Sequence, residues 1–338
     1  MSATSARETI LNLFRRAPGG YLSGERLSEA LGVSRTAVWK QVRQLRQMGY
    51  RIEAVPSRGY QLLAAPDLPL AEELRIGLAT RIVGREIRYL TETDSTNRQA
   101  YALGEAGADE GLVVIADRQT AGKGRMGRSW ASPPGVNLYL SILLRPPLPP
   151  QAAPQLTFVS TLAVSRAITA VSGLSPTHKW PNDVLIDGCK VAGLLNEMSA
   201  ESDLIRFVVL GIGVNLNMTA DQFPSELRMP ATSLLLAGGQ PVARAAFARE
   251  LLQQLDALYV EYLQHGPAPI LAAWEERCDL IGQAVAVDEG RSGEVRGVVA
   301  GIDRDGALLL TLANGSTERI LAGDVRSLAS PQPPAPSN

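Results

Sequence analysis

The chain has 338 residues, of which 45% are hydrophobic and 20% charged, with a net charge of −1. That length predicts two or three domains with proper cores, and no uncharged apolar run reaches the ~18 residues a transmembrane helix needs. Two cysteines (Cys189, Cys278) and two histidines (His178, His265) are too few and too scattered for a disulfide framework or a metal cluster, so no metal site is expected. Arg7 and Glu8 precede the first apolar residues, which argues against a secretory signal. A cytoplasmic protein without membrane association is expected.

The charge is unevenly spread. Residues 1–64 hold ten Lys/Arg and four acids, a net +6, which leaves −7 for the remainder. A basic module on an acidic body suggests a polyanion-binding appendage. Three helices are predicted in it. The first, over residues 6–16, carries Ile10, Leu13, Phe14 and Ala17 on one face and stops at Pro18-Gly19-Gly20. The second follows Ser23 as N-cap and buries Leu27, Ala30 and Leu31 before a turn at Gly32. The third starts at Ser34 and repeats Val38, Val42 and Leu45 until Gly49. Two short helices around a glycine turn, the second with Arg35, Thr36, Lys40 and Arg43 facing outward, are helix-turn-helix organisation. A hairpin of residues 51–55 and 59–63 adds a wing with Arg58 near its tip. Residues 1–64 are therefore expected to form a winged helix-turn-helix that binds DNA through Arg35, Thr36, Lys40, Arg43 and Arg58; the alternative is a protein-interaction domain with a solvated basic face. Residues 65–82 read as linker and lead-in.

In the central body, a strand at residues 87–90 is followed by Asp94-Ser95-Thr96-Asn97 and a helix through residues 100–106. Spacing alone reads Ser95, Thr96 and Asn97 as helix-capping residues, although these small donors and acceptors also suit a compact polar group such as a ureido ring. A buried strand at residues 111–116 then leads into Gln119-Thr120-Ala121-Gly122-Lys123-Gly124-Arg125-Met126-Gly127-Arg128-Ser129-Trp130. Glycine lets backbone N–H groups approach a phosphate, and Lys123, Arg125 and Arg128 supply charge. Taken alone, this is either an anion-binding loop or a solvated basic loop. An apolar strand at residues 135–145 and an amphipathic helix at residues 152–171 follow. Next comes Lys179-Trp180-Pro181-Asn182-Asp183, after which Asp187-Gly188 joins two strands as a hairpin. Lys190 lies one residue into the return strand with no carboxylate partner evident nearby, which is costly unless an anion meets it. Residues 207–217 form a further buried strand whose glycines suggest close approach of a ligand or backbone.

These segments together resemble the bifunctional biotin protein ligases, in which a biotin–[biotin carboxyl carrier protein] ligase is fused to a biotin operon repressor. The resemblance rests on Asp94-Ser95-Thr96-Asn97, Gln119 through Trp130, Lys179-Trp180-Pro181-Asn182-Asp183, Lys190-Val191-Ala192-Gly193 and Gly211-Ile212-Gly213-Val214-Asn215, and covers residues 6 to about 328 in order. One departure is Lys123, where the family often has arginine. The resemblance implies that Ser95, Thr96, Asn97, Gln119, Lys123, Gly124, Arg125 and Lys190 contact biotin or its activated carboxylate. It places Arg125, Arg128, Trp130, Asn182 and Asn215 on the nucleotide side. ATP and biotin are then substrates, with Mg²⁺ expected alongside ATP, and biotinyl-5′-AMP is the intermediate passed to a lysine of the biotin carboxyl carrier protein. Lys190 and Arg125 are the groups expected to stabilise phosphate charge in that chemistry. Asp183 is a candidate for positioning Mg²⁺ or the carrier amine, or simply accepts hydrogen bonds in a turn. The other implied partners are operator DNA and a second copy of the chain, recruited when the adenylate binds. Residues 218–230 look like the family's adenylate-covering loop, with Phe223 as an apolar lid. Competing readings are a lipoate ligase, which shares the architecture, and a ligand-responsive transcription regulator with a non-catalytic ligase domain.

Towards the C-terminus a long amphipathic helix over residues 242–264 precedes short strands at residues 284–287, 293–302, 307–312 and 318–321. They predict a small antiparallel barrel, which the resemblance makes SH3-like. The expected organisation is multidomain α+β: a winged helix-turn-helix at 1–64, a ligase domain of the biotin/lipoate type at 83–275, an SH3-like domain at 276–328 and a disordered tail at 329–338.

Overall fold

The computed structural model describes residues 6–290 and 293–328; the tail at 329–338 lies outside the described residues. The chain divides into two compact units, Met1–Ala79 with Ala243–Arg249, and Thr80–Val242 with Glu250–Asn338.

In the first unit, α1 (Ala6–Arg16), α2 (Gly24–Leu31) and α3 (Arg35–Gln47) precede a two-stranded wing, β1 (Arg51–Val55) and β2 (Gly59–Ala64). The predicted caps form: Ser23 Oγ accepts from Arg26 N at 3.1 Å and Ser34 Oγ from Ala37 N at 3.2 Å. Val38, Val42 and Leu45 are buried as expected. On α1, however, the buried apolar face is Ile10, Leu11 and Phe14, and Leu13 is only half-buried. Glu8 is buried on α1 as well, where it meets Arg75 at 2.9 Å. On the short α2, Leu27 alone is buried and Ala30 is exposed.

Within the span read as linker, Ala71–Arg75 forms a helix, α4, beside α1. Leu70 and Leu74 are buried, Arg7 meets Glu72 at 2.8 Å, and Glu73 receives the Arg15 guanidinium and the Tyr50 hydroxyl. A five-residue helix is too short to show a 3.6-residue period, so it depends on these tertiary pairs.

The second unit is built on a seven-stranded sheet of order β3-β4-β5-β9-β8-β7-β6. Its strands are β3 (Glu86–Thr93), β4 (Leu112–Gln119), β5 (Leu138–Leu144), β6 (Thr177–Lys179), β7 (Asp183–Ile186), β8 (Cys189–Glu201) and β9 (Leu204–Val214). β3 and β4 run parallel, and all other neighbours antiparallel. Between β3 and β4, α5 (Thr96–Glu105) packs Ala100 against Val114, Leu143, Phe207 and Val209. Further along, α6 (Gln155–Ser172) is buried on most of its surface. A short helix α7 (Leu234–Gly238) precedes the long α8 (Arg244–His265), where Asp256 accepts the backbone N–H groups of Arg81, Ile82 and Val83 at 2.7–2.8 Å. After α9 (Ala268–Glu275) comes a five-stranded antiparallel sheet of order β13-β12-β11-β10-β14. It comprises β10 (Ala284–Asp288), β11 (Glu294–Ile302), β12 (Leu308–Thr311), β13 (Thr317–Ile320) and β14 (Asp324–Ser327), the last absent from the predicted strands. This is the SH3-like module; β13 and β14 are its edges.

His178 anchors β6 to the body beneath it. Its ring is fully buried and stacked on Trp274 at 5.2 Å; Nδ1 faces Trp274 O at 3.0 Å and Nε2 faces Ser165 Oγ at 2.7 Å. Because a carbonyl only accepts, Nδ1 carries the hydrogen and the neutral Nε2 accepts from Ser165. Burial lowers the imidazole pKa to about 4. The unfolded chain therefore takes up this proton first, so stability is lost as pH falls from about 6.5 towards 4, by roughly 3 kcal/mol. His178→Asn should flatten that part of the pH dependence. Urea midpoints between pH 4 and 7 for both chains provide the check; parallel curves would show that His178 is not the group.

Candidate active site

Ser95, Thr96, Asn97, Gln119, Lys123, Gly124, Arg125, Arg128, Trp130, Asn182, Asp183, Lys190 and Asn215 all line one cleft of about 1080 Å³ in the second unit. Three pieces of chain build its polar end. Thr96 N and Oγ1 donate to Gln119 Oε1 at 2.9 and 3.1 Å, and Gln119 Nε2 donates to Ser132 Oγ at 2.9 Å. Ser95 makes no side-chain cap; Asp94 Oδ1 accepts from Ser95 N instead, at 2.6 Å. The capping expectation for Ser95-Thr96-Asn97 therefore fails, and these side chains face the cleft wall.

Asn97 is spent largely on the fold. Its Nδ2 donates to Leu195 O at 3.0 Å and Glu197 Oε2 at 2.8 Å, while Oδ1 accepts from Ser141 at 2.6 Å, leaving its second lone pair without a donor among the described residues. A Cβ on Gly211 would lie 2.0 Å from Asn97 Oδ1, so the glycine there admits a protein amide. Asn215 is similarly committed: it donates to Thr232 O at 3.1 Å and accepts from Asn137 at 3.3 Å.

The basic loop folds back on itself, with Gly124 N bonded to Arg128 O at 2.7 Å and Trp130 N to Gly122 O at 2.8 Å. Its two arginines turn towards the C-terminal sheet. Arg128 meets Asp324 at 2.8 Å, and Arg125 reaches Gly323 O at 3.4 Å and Asn182 Oδ1 at 3.5 Å. Burial pushes the Arg125 guanidinium below its ordinary value; Asp324 and Asp183 oppose this, while Arg128 adds to it. Trp130 lies across the paired glycines of β8 and β9, where a Cβ on Gly193 would stand 2.9 Å from the ring and one on Gly213 2.6 Å from Nε1. That Nε1–H is buried with no acceptor among the described residues.

Lys190 does have a carboxylate partner, contrary to expectation. A bulge between Val184 and Leu185 in the β7–β8 register offsets the return strand, and Lys190 Nζ reaches Asp183 Oδ1 at 2.6 Å. The same ammonium lies 5.5 Å from the Trp130 ring centroid. Lys179, outside the predicted set, adds a second cation whose pKa is lowered by burial and by Lys190, against the pull of Asp183. Two half-buried ammoniums and two arginines set against Asp183 and Asp324 leave net positive charge for an anion to neutralise. The residues sequence reasoning missed are Lys179, although it heads a quoted segment, and Asp324 and Arg228, which meet at 3.7 Å. Nothing local to β14 signals that it borders a cleft. Phe223 lines the cleft, and the loop before Ala231 is pinned to Lys190, whose N donates to Pro230 O at 2.8 Å.

In the first unit, Arg35, Thr36, Lys40, Arg43 and Arg58 are all exposed. A shallow groove of about 460 Å³ beside the start of α2 gathers Arg35 and Arg58, whose guanidinium covers the Tyr21 ring at 4.1 Å.

A seven-stranded α+β core with a cationic cleft, a C-terminal antiparallel sheet and a winged helix-turn-helix define a ligase of the biotin/lipoate type joined to a DNA-reading module. Three families match accordingly: the HTH domain over residues 6–61, the biotin/lipoate A/B protein ligase family over 89–215 and the biotin protein ligase C-terminal domain over 280–326. The bifunctional ligase/repressor BirA of Bacillus spizizenii is 40% identical over 95% of this chain and 98% of its own length. That of Escherichia coli is 34% identical over 87% and 89%. Among solved structures, the biotin protein ligase of Aquifex aeolicus in complex with biotin and ATP superposes with a TM-score of 0.62 at 29% identity, covering 73% of this chain and all of that one. The chain belongs to the bifunctional biotin ligase/repressor family.

Proposed function

We propose that this chain activates biotin with ATP to biotinyl-5′-AMP, transfers it to a lysine of the biotin carboxyl carrier protein, and represses transcription through its N-terminal module. The observation that carries the ligase half is the convergence of Lys190, Lys179, Arg125 and the Thr96–Gln119 cluster on one cleft. In this reading Ser95, Thr96, Gln119 and the second lone pair of Asn97 hold the ureido ring, with Lys123 and Gly124 closing over it. The biotin carboxylate attacks the α-phosphorus and pyrophosphate departs. Charge accumulates on phosphate oxygens, where Lys190 and Arg125 stabilise it, so little is asked of a protein base. Arg128, Trp130, Asn182 and Asn215 shape the nucleotide end, Asn215 through the backbone it pins. Mg²⁺ accompanying ATP would help neutralise the phosphate charge, with Asp183 the cleft carboxylate that could hold it. In this reading Asp183 orients the carrier amine once Lys190 turns to the substrate. The DNA module spans 1–64, the ligase 83–275 and the SH3-like module 276–328, and the cytoplasm is where this chemistry takes place.

Mixing the protein with ATP, labelled pyrophosphate and either biotin or lipoate tests the enzyme. Biotin-dependent exchange is expected; exchange with lipoate alone would make it a lipoate ligase, and none with either acid would leave only a regulator. The regulatory half predicts that biotinyl-5′-AMP orders the Gly122–Arg128 loop, favours a homodimer and thereby strengthens operator binding. The shift is bounded by the adenylate's differential affinity for the dimer. Sedimentation and operator titrations with and without the adenylate check it; identical results in both conditions would remove repression and leave the ligase standing.

A further inference from the structure

Resting on the DNA-binding reading above, we propose that Trp39 is a specificity-determining residue of the recognition helix, reading the 5-methyl group of thymine in the operator half-site. Trp39 is 48% exposed, whereas Trp180 and Trp274 are buried at 2% and 0%. It stands at the middle of α3's outer face, one turn after Arg35 and one turn before Arg43. α3 contains no acidic residue, and its exposed positions are otherwise Arg, Lys, Thr and Gln, so the surface around the ring is complementary to a polyanion.

An indole offers one N–H donor and a large apolar face, so most of what it can recognise is apolar. A major groove admits an α-helix, and among its base-edge features the one apolar group is the thymine methyl. In the free protein the Arg43 guanidinium lies 5.6 Å from the Trp39 ring, and Arg35 pairs with Glu25 at 3.2 Å. Arg43 thus rests beside the ring and Arg35 in a solvent-exposed pair with Glu25, both available to phosphate or guanine when the helix enters the groove. Lys40 and Arg43 position the helix, and Trp39 contributes discrimination.

The test starts by selecting duplexes from a random library with full-length protein saturated with biotinyl-5′-AMP. Each thymine of the enriched site is then replaced singly by deoxyuridine, which removes the methyl and nothing else. For the wild-type chain, at least one replacement per half-site should weaken binding by roughly fourfold, the value of one buried methyl group. In Trp39→Ala that replacement should have no further effect, with the salt dependence of binding unchanged; Trp39→Phe should retain part of the sensitivity. Trp39 is exposed, so its truncation removes no core contact, and an unchanged thermal midpoint verifies the fold. Equal deoxyuridine sensitivity in wild type and Trp39→Ala overturns the proposal, as does a wild type indifferent to every replacement. So does a Trp39→Ala chain that fails to dimerise, which would make the ring a protein contact. Failure to enrich any duplex is a separate outcome that sinks the DNA-binding reading itself.

Discussion

Lys190→Ala should lower adenylation by about 10²–10³ while the fold survives, because fixed cations facing developing phosphate charge are commonly worth a few kcal/mol. The side chain reaches over Gly193 to Asp183 at 2.6 Å, so removing it also strands a half-buried carboxylate. Two causes of a slow enzyme are thereby mixed: lost stabilisation of the reacting phosphate, and a new negative charge where biotin's carboxylate must bind. Lys190→Ala with Asp183→Asn separates them. Removing the stranded charge should restore some biotin affinity and leave the rate of adenylate formation low. Biotin-dependent pyrophosphate exchange reads the rate, and thermal melting confirms the fold. A folded Lys190→Ala chain that exchanges at the wild-type rate would refute the role.

Arg125→Gly should release the intermediate. The guanidinium is held by long contacts to Gly323 O (3.4 Å) and Asn182 Oδ1 (3.5 Å), so little in the protein competes with an anion for it. It is also half-buried, in surroundings that press on its charge, and an anionic partner relieves that cost. A charge-assisted hydrogen bond contributes about 1.5–3 kcal/mol, so the adenylate should escape roughly ten- to a hundredfold faster. Free mixed anhydride acylates any accessible amine, and bystander lysines should be biotinylated. Dissociation of labelled biotinyl-5′-AMP and biotin incorporation into an unrelated protein measure the two effects. Bystander labelling at the wild-type level, with adenylate still being made, would remove Arg125 from this role.

What the sequence determined by itself is whatever a few neighbouring residues encode. Ser23 and Ser34 cap their helices because the acceptor and the N–H it satisfies are three residues apart. The stripe of Val38, Val42 and Leu45 and the Asp187-Gly188 turn are equally local, and so were legible. So were the cationic loop from Gln119 to Trp130 and the Lys179–Asp183 segment, as composition. Their meeting in one cleft was implied by resemblance, since spacing carries no distance across a sheet. The tertiary structure alone decided where the cleft's polar groups spend their bonds. Asn97, read locally as a cap, bonds Leu195, Glu197 and Ser141, residues that strand pairing brings to it from far along the chain. Lys190 finds Asp183 because a bulge offsets two strands, and register belongs to the pairing of strands, not to either one. Helix α4 exists through Glu72 and Glu73 meeting Arg7 and Arg15, contacts no five-residue window contains. Asp324 borders the cleft because β14 pairs with β10 and its carboxylate meets Arg128, almost two hundred residues earlier in the chain. Hydrogen-bond partners are chosen by proximity in space, and proximity between distant residues is settled only when the whole sheet closes its register.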